Sequence, residues 1–291
     1  MNNTSQPLIP RADRPVDPIT ISVIREIHKA SKELGVQILL VGATARIILL
    51  ENVFGLNAGR ATMDVDFAFA TEDWEQFSNI KQHLVSHASF EESTRETQRL
   101  IFNSAEWKTK YVVDLIPFGG IETKPNKIAW PPDMGIMMNV AGYSDALAAA
   151  VPVEVAPGLT IAVASLPGIA ILKLFAWADR GQENPKDAID LVSLLRSYHE
   201  AGNEDRLYEE EGALAALETA GYDVELAGSW LLGKDAAAMA SPQTSAELRE
   251  LLDGAKRRRL VEDMARAMLG RGDALECSHS LLEQFTKGFS V

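Results

Sequence analysis

The sequence predicts an α+β fold: a sheet with flanking helices, followed by an all-helical C-terminal domain. Two patterns and the length carry that expectation. From about residue 36 to 164, short runs rich in Val, Ile, Leu and Phe alternate with stretches of helical spacing. After Ser165, Ala and Leu dominate, strand signals vanish, and the chain reads as five or six helices to its end. At 291 residues the chain has room for two domains. The expected division is an N-terminal arm over 1–18, an α/β domain over 19–164 and a helical domain over 165–291, joined closely at "ASLPG".

Each element has its own signal. "TISVIREIHKASKELG" places Val23, Ile27, Ala30 and Leu34 on one helical face, with Gly35 as a stop. "VQILLVG" reads as a buried strand, and "ATARIILLENVFG" as a helix that Gly55 ends. "TMDVDFAFA" is the next strand. "EDWEQFSNIKQHLVSH" follows as a helix opened by Thr71 and its acidic neighbours. "TQRLIFN" and "KYVVDLIPF" are strands, whereas the Pro, Gly and Asn of "GGIETKPNKIAWPPDMG" read as a loop. Residues 136–164 read as short strands and a turn, with "APG" between two β-rich runs. The arm "MNNTSQPLIPRADRPVDP" is polar with spaced prolines, which suits a loose arm or a surface strap.

Composition narrows the function classes. No stretch approaches the roughly 18 uncharged apolar residues of a membrane span, and the arm has no apolar core of a signal peptide. A single cysteine, Cys277, excludes an internal disulfide and fits a reducing cytoplasm, the expected location. Nothing around "ALECSHS" would activate a thiol, so a neutral, partly buried Cys277 is the expectation. Five His and one Cys argue against a zinc centre. A net charge of −13 argues against coating a nucleic acid broadly and leaves room for a local basic groove.

The unusual feature is "GRATMDVDFAF", because strand interiors are normally poor in Asp. With a period of two, Asp64 and Asp66 share one face while Val65 and Phe67 pack on the other. Side-by-side carboxylates repel unless a cation lies between them, and such hard oxygens suit Mg²⁺, with Mn²⁺ as a substitute. Asp114 in "YVVDLIPF" is a third acid in an apolar strand. Three carboxylates on neighbouring strands could hold two metal ions that clamp a triphosphate and activate a hydroxyl. The competing reading makes Asp64 a turn cap after Arg60 and Thr62. Upstream, "LLVGATARIILL" is a strand, a glycine, small residues and a helix start. Gly42 and Ala43 would let a phosphate approach the helix N-terminus, with a hydroxyl from Thr44 and a charge from Arg46. The competing reading is a tight strand-to-helix turn capped by Thr44.

Gly42-Ala43-Thr44, Asp64-x-Asp66 and Asp114 together resemble the DNA polymerase β-like nucleotidyltransferase superfamily. The turn here is G-A-T where the superfamily has Gly-Ser. The long interval from Gly42 to Asp64 is also similar to the head of tRNA CCA-adding enzymes, with Ala43 and Ile47 where those carry a second Gly and an Asp. Downstream, "SLPGIAILKLFAWADRGQENPKDAIDLVSLL" resembles AbiEii-type nucleotidyltransferases, the toxins of type IV toxin–antitoxin systems. Lys173 is the single charge in an apolar helix from Leu166 to Ala178 and shares a stripe with Trp177 and Arg180. The resemblance, which spans residues 36 to about 195, implies a nucleotidyltransferase-type mixed sheet. It also implies that Lys173 meets nucleotide phosphates and that an acid of the next helix, Asp187 or Asp190 one turn on, completes the site. By residue chemistry alone, Lys173 could snorkel, Asp187 could be a helix-start acid, and Arg180 could pair with Asp187.

The resulting expectation is a metal-dependent enzyme that moves a nucleoside monophosphate from an NTP to a hydroxyl and releases pyrophosphate. Asp64, Asp66 and Asp114 hold the metal and assist the acceptor. Gly42, Ala43, Thr44 and Arg46 cradle phosphates, with Lys173 and Arg180 adding charge. The resemblance implies a tRNA 3′ end as acceptor and a cognate antitoxin as partner. A small cationic acceptor such as an aminoglycoside, or an inactive nucleotide-binding module, are the alternatives. "KRRR" at 256–259 is either an RNA grip or a solvated helix face, and Trp107 and Trp130 are either base-stacking or core residues.

Overall fold

The computed structural model describes residues 6–103, 106, 110–181 and 183–291, so Trp107 lies outside the described residues. The chain clusters into two compact units, Met1–Val53 with Ala61–Ser165, and Phe54–Arg60 with Leu166–Val291.

In the first unit, α1 (Pro18–Leu34) opens at Asp17, whose carboxylate accepts the Thr20 N–H at 3.0 Å. Proline at its first position gives up no helical hydrogen bond. It closes at Gly35, which adopts a left-handed φ of 65°. β1 (Ile38–Val41) is buried along its length. The helix expected after it is α2 (Gly42–Ile47), which continues as a π-helical segment over Ile48–Val53. Then come β2 (Asp64–Ala70), α3 (Trp74–His87), β3 (Phe90–Glu92), β4 (Arg99–Asn103) and β5 (Lys110–Phe118). β6 (Lys127–Trp130), β7 (Ile136–Asn139), α4 (Tyr143–Ala148), β8 (Val151–Ala156) and β9 (Leu159–Val163) complete the unit.

Seven strands form one sheet in the order β3-β4-β5-β2-β1-β9-β8. β2 with β5 and β1 with β9 run parallel, and the other neighbours are antiparallel, so the sheet is mixed. Val65, Phe67 and Phe69 of β2 are fully buried, and each contributes about 1.5–3 kcal/mol by leaving water. Their alternation with the acids fixes the register, because a one-residue slip would drive Asp64 and Asp66 into the core.

Several local expectations change. The stretch 119–135 holds strand β6, which pairs with β7 as a separate two-stranded sheet. α3 is capped by Asp73, whose carboxylate accepts the Gln76 N–H at 2.8 Å, and not by Thr71. β3 and α4 were not anticipated by the pattern of residues. The described part of the arm, residues 6–17, touches the first unit at two places. Leu8 exchanges backbone hydrogen bonds with Pro152 and Glu154, both at 2.9 Å, and the Asn52 amide donates to the Arg14 and Pro15 carbonyls.

The second unit is helical: α5 (Leu166–Arg180), α6 (Lys186–Ser197), α7 (Arg206–Glu209), α8 (Glu211–Thr219), α9 (Val224–Met239), α10 (Pro242–Asp253), α11 (Arg257–Ala265) and α12 (Ala274–Phe289). Eight α-helices among the described residues exceed the five or six expected, since α7 has four residues and α8 nine. Helices that short carry too few apolar positions to announce a period. α9 and α12 pack backbone to backbone at two glycines. A Cβ on Gly233 would meet the Phe285 carbonyl at 2.1 Å, and one on Gly288 the Trp230 carbonyl at 1.9 Å. Among the described residues, no helix is long and apolar enough to cross a membrane.

Candidate active site

The pleat of β2 turns Asp64 and Asp66 to one half-exposed face, and β5 sets Asp114 beside them, since Asp66 and Asp114 are direct partners in the parallel register. One carboxylate oxygen from each of the three lies within 4.8 Å of the others. That is a span a single hard divalent cation can bridge, and the donor set is all oxygen. Thr62 donates its hydroxyl to Asp64.

The glycine turn is built against this face. Val41, the last residue of β1, stands opposite Asp66, so the chain turns into α2 directly over that carboxylate. Gly42 makes the turn at φ 71°, and a Cβ there would meet the Asp66 Oδ2 at 2.0 Å. No other residue type fits both the angle and the approach. Ala43 is buried beside it. Thr44 is buried and donates its hydroxyl to the Asp64 carbonyl at 2.9 Å, tying the turn to β2 and spending its one proton there. The Arg46 side chain is 0% exposed, inside the protein and not presented to solvent.

Arg99 was missed from the sequence. On β4 it is the direct antiparallel partner of Asp114, and its guanidinium donates to both carboxylate oxygens, Nε at 2.8 Å and Nη2 at 2.9 Å. Its remaining terminal nitrogen lies 3.4 Å from Glu96. The hydrogen bonds to Asp114, then the charges of Asp114, Glu96 and Asp64, outweigh burial and raise the guanidinium pKa further. The available signal was one cation in "TQRLIFN" and one acid in "KYVVDLIPF", with the pairing register unknown.

In the second unit, Lys173 is buried and donates to Asp187 at 2.9 Å and to Asp190 at 2.7 Å. Arg180, two turns along α5, grips both oxygens of Asp187 at 2.8 and 3.2 Å. Arg60 approaches Asp190 at 3.7 Å. Burial pushes the Asp187 carboxyl up, but Lys173 and Arg180 outweigh it and hold the pKa down at about 2. The structure therefore brings Lys173, Arg180 and Asp187 together with Asp190.

The basic run 256–259 is mostly occupied at home. Lys256 donates to the Ala178 carbonyl, Arg257 to Leu252 and Thr286, and Arg259 to Gly181, while Arg258 is exposed and pairs with Glu262. Trp130 is buried and packs with the buried Phe77 and the half-buried Trp74. Burial pushes the Cys277 thiol up, which keeps it neutral.

The first unit is thus a mixed sheet with a glycine turn set against three converging acids. A family model described as the nucleotidyl transferase AbiEii toxin of the Type IV TA system matches residues 30–278. The protein belongs to this AbiEii family of nucleotidyltransferase enzymes. Among solved structures it is similar to an antigenic nucleotidyltransferase-like protein from Paracoccidioides brasiliensis (17% identity, 70% of this chain and 94% of that one, TM-score 0.42). It is also similar to the antibiotic-resistance factor ANT(2'')-Ia (16% identity, 71% and 99%, TM-score 0.36). A CCA-adding enzyme in complex with ATP matches at 12% identity over 96% of this chain and 82% of that one, with a TM-score of 0.32. No curated protein matches the sequence.

Proposed function

We propose that the protein is a metal-dependent toxin enzyme that transfers a nucleoside monophosphate from an NTP to the 3′ end of a tRNA. The observation that carries the metal dependence is the convergence of Asp64, Asp66 and Asp114 within 4.8 Å against the Gly42 turn. These three residues would hold Mg²⁺, two ions in all, or Mn²⁺. When bound, the cations neutralise the triphosphate and make the acceptor hydroxyl more acidic. Asp114 takes the proton of that hydroxyl. Its oxygen then attacks the α-phosphorus, the bond to the β-phosphate breaks, and pyrophosphate leaves. Gly42 and Ala43 admit the phosphates to the backbone N–H groups at the start of α2, and Thr44 fixes that turn to β2. Arg46 is wholly buried and so stands outside that phosphate cradle.

Lys173, Arg180 and Asp187 stay in the proposal as residues that transfer depends on. Supporting them is a lysine held between two buried acids in an otherwise apolar helix, an arrangement that costs desolvation and is rarely idle. The tRNA acceptor and a cognate antitoxin rest on membership of a toxin family. A cytoplasmic location follows from the same reading. One observation favours a second acceptor class: the net charge of −13 suits a small cationic molecule better than RNA.

Incubation with each labelled NTP, Mg²⁺ and total tRNA, beside an Asp64→Ala/Asp66→Ala double variant, tests the proposal. Label on tRNA with wild type alone supports it. Label on an aminoglycoside but not on tRNA moves the acceptor to the cationic class. NTP binding without transfer to either makes the protein a binding module.

A further inference from the structure

Arg99 occupies a ligand of the metal site. Its Nε and Nη2 take one oxygen of Asp114 each, at 2.8 and 2.9 Å, in the fork geometry that makes arginine–carboxylate pairs strong. The pair is partly buried: the side chains are 28% and 14% exposed, so water screens it poorly. Cross-strand register holds it in place, because Arg99 and Asp114 are directly opposed on β4 and β5. A guanidinium there is also a fixed positive charge beside Asp64, and its charge and a divalent cation's repel within a few ångströms. Glu96 lies 3.4 Å from the third guanidinium nitrogen and is itself held by the Ser93 hydroxyl at 2.8 Å. The arginine thus has a second carboxylate within reach of a side-chain rotation.

We propose that Arg99 gates the second cation site. In the nucleotide-free protein its guanidinium holds Asp114, so Asp64 and Asp66 take up one divalent cation by themselves. When a metal–triphosphate arrives, its phosphate oxygens and Glu96 compete for the guanidinium, Asp114 is released, and the second cation completes the site. Arg99 acts through Asp114 and is a positioning residue. The gate couples assembly of the two-cation site to arrival of the NTP. It rests on the metal-dependent reading given above.

The test is Mn²⁺ binding, counted from the free-ion paramagnetic resonance signal, with and without a non-hydrolysable NTP analogue. Wild type is expected to bind one Mn²⁺ alone and two with the analogue. Arg99→Gln, which removes the charge and the fork, is expected to bind two without nucleotide, the second about tenfold tighter or more than in wild type. Arg99→Lys keeps the charge without the fork and is expected to fall between them. If Arg99→Gln unfolds, the lysine variant carries the test by itself. Two Mn²⁺ on nucleotide-free wild type, or an unchanged second site in both variants, overturns the gate. An Asp64→Asn/Asp66→Asn control separates the two failures. If that variant binds Mn²⁺ as wild type does, the metal site itself is wrong and the gate falls with it.

Discussion

The first unit and the second each gather carboxylates, and the two clusters are built to opposite ends. On β2 and β5, Asp64, Asp66 and Asp114 are half-exposed on a sheet face with Arg99 forked onto one of them. Between α5 and α6, Asp187 and Asp190 are almost wholly buried and enclosed by Lys173, Arg180 and Arg60. Charge in the second cluster is balanced from within the unit, and it behaves as a buried network whose members hold one another. In the proposed function the first cluster takes up an external cation. The two clusters thus use the same residue types and differ in burial and in the ratio of acids to enclosing cations.

The largest effect expected on the first cluster is loss of function. Asp64→Ala with Asp66→Ala should lower transfer by about a thousandfold or more, with a melting temperature unchanged or raised by relief of repulsion. Gly42→Ala sharpens the same point through geometry. The added Cβ must displace the Asp66 carboxylate, so transfer should fall by about a hundredfold while global stability falls much less. The second cluster should respond the other way. Asp187→Asn leaves Lys173 and Arg180 short of a counter-charge and should cost roughly 3–5 kcal/mol in denaturant unfolding. That cost should depend on pH. Because the fold depresses the Asp187 pKa from 3.8 to about 2, its stabilisation is fully present above pH 3.8 and is lost as the pH falls through about 2. The gap between wild type and variant should therefore narrow by on the order of 2 kcal/mol over that window. The smallest effect separates the members of the basic run. Arg257→Ala should cost about 1–2 kcal/mol for its partly buried hydrogen bonds, and Arg258→Ala less than about 0.5 kcal/mol.

Much of this was legible in the chain. Period two in "TMDVDFAFA" set the acids on one face, and β5 coincides with "KYVVDLIPF", because a sheet face buried on alternate residues leaves a plain pattern. Gly42 was legible as a close approach, although the group it approaches, Asp66, was not. What stayed hidden depended on register or on the far ends of side chains. Arg99 meets Asp114 only once β4 and β5 are aligned. The Thr44 hydroxyl turns to the Asp64 carbonyl, and three members of "KRRR" turn to helix-end carbonyls or neighbouring hydroxyls. The strand β6 was masked by the Pro and Gly around it, since breakers flanking a four-residue run outweigh its β propensity. For the α3 cap, "TEDWEQ" offers both Thr71 and Asp73. Asp73 is the one with a glutamine three residues on, the spacing of a reciprocal cap.

The most direct test of the contrast is to titrate Mn²⁺ into Asp66→Asn and Asp190→Asn side by side and to melt both. The account predicts that Asp66→Asn loses Mn²⁺ binding and keeps its melting temperature, while Asp190→Asn keeps Mn²⁺ binding and melts several degrees lower. Mn²⁺ retained by Asp66→Asn, or an Asp190→Asn variant as stable as wild type, would contradict it.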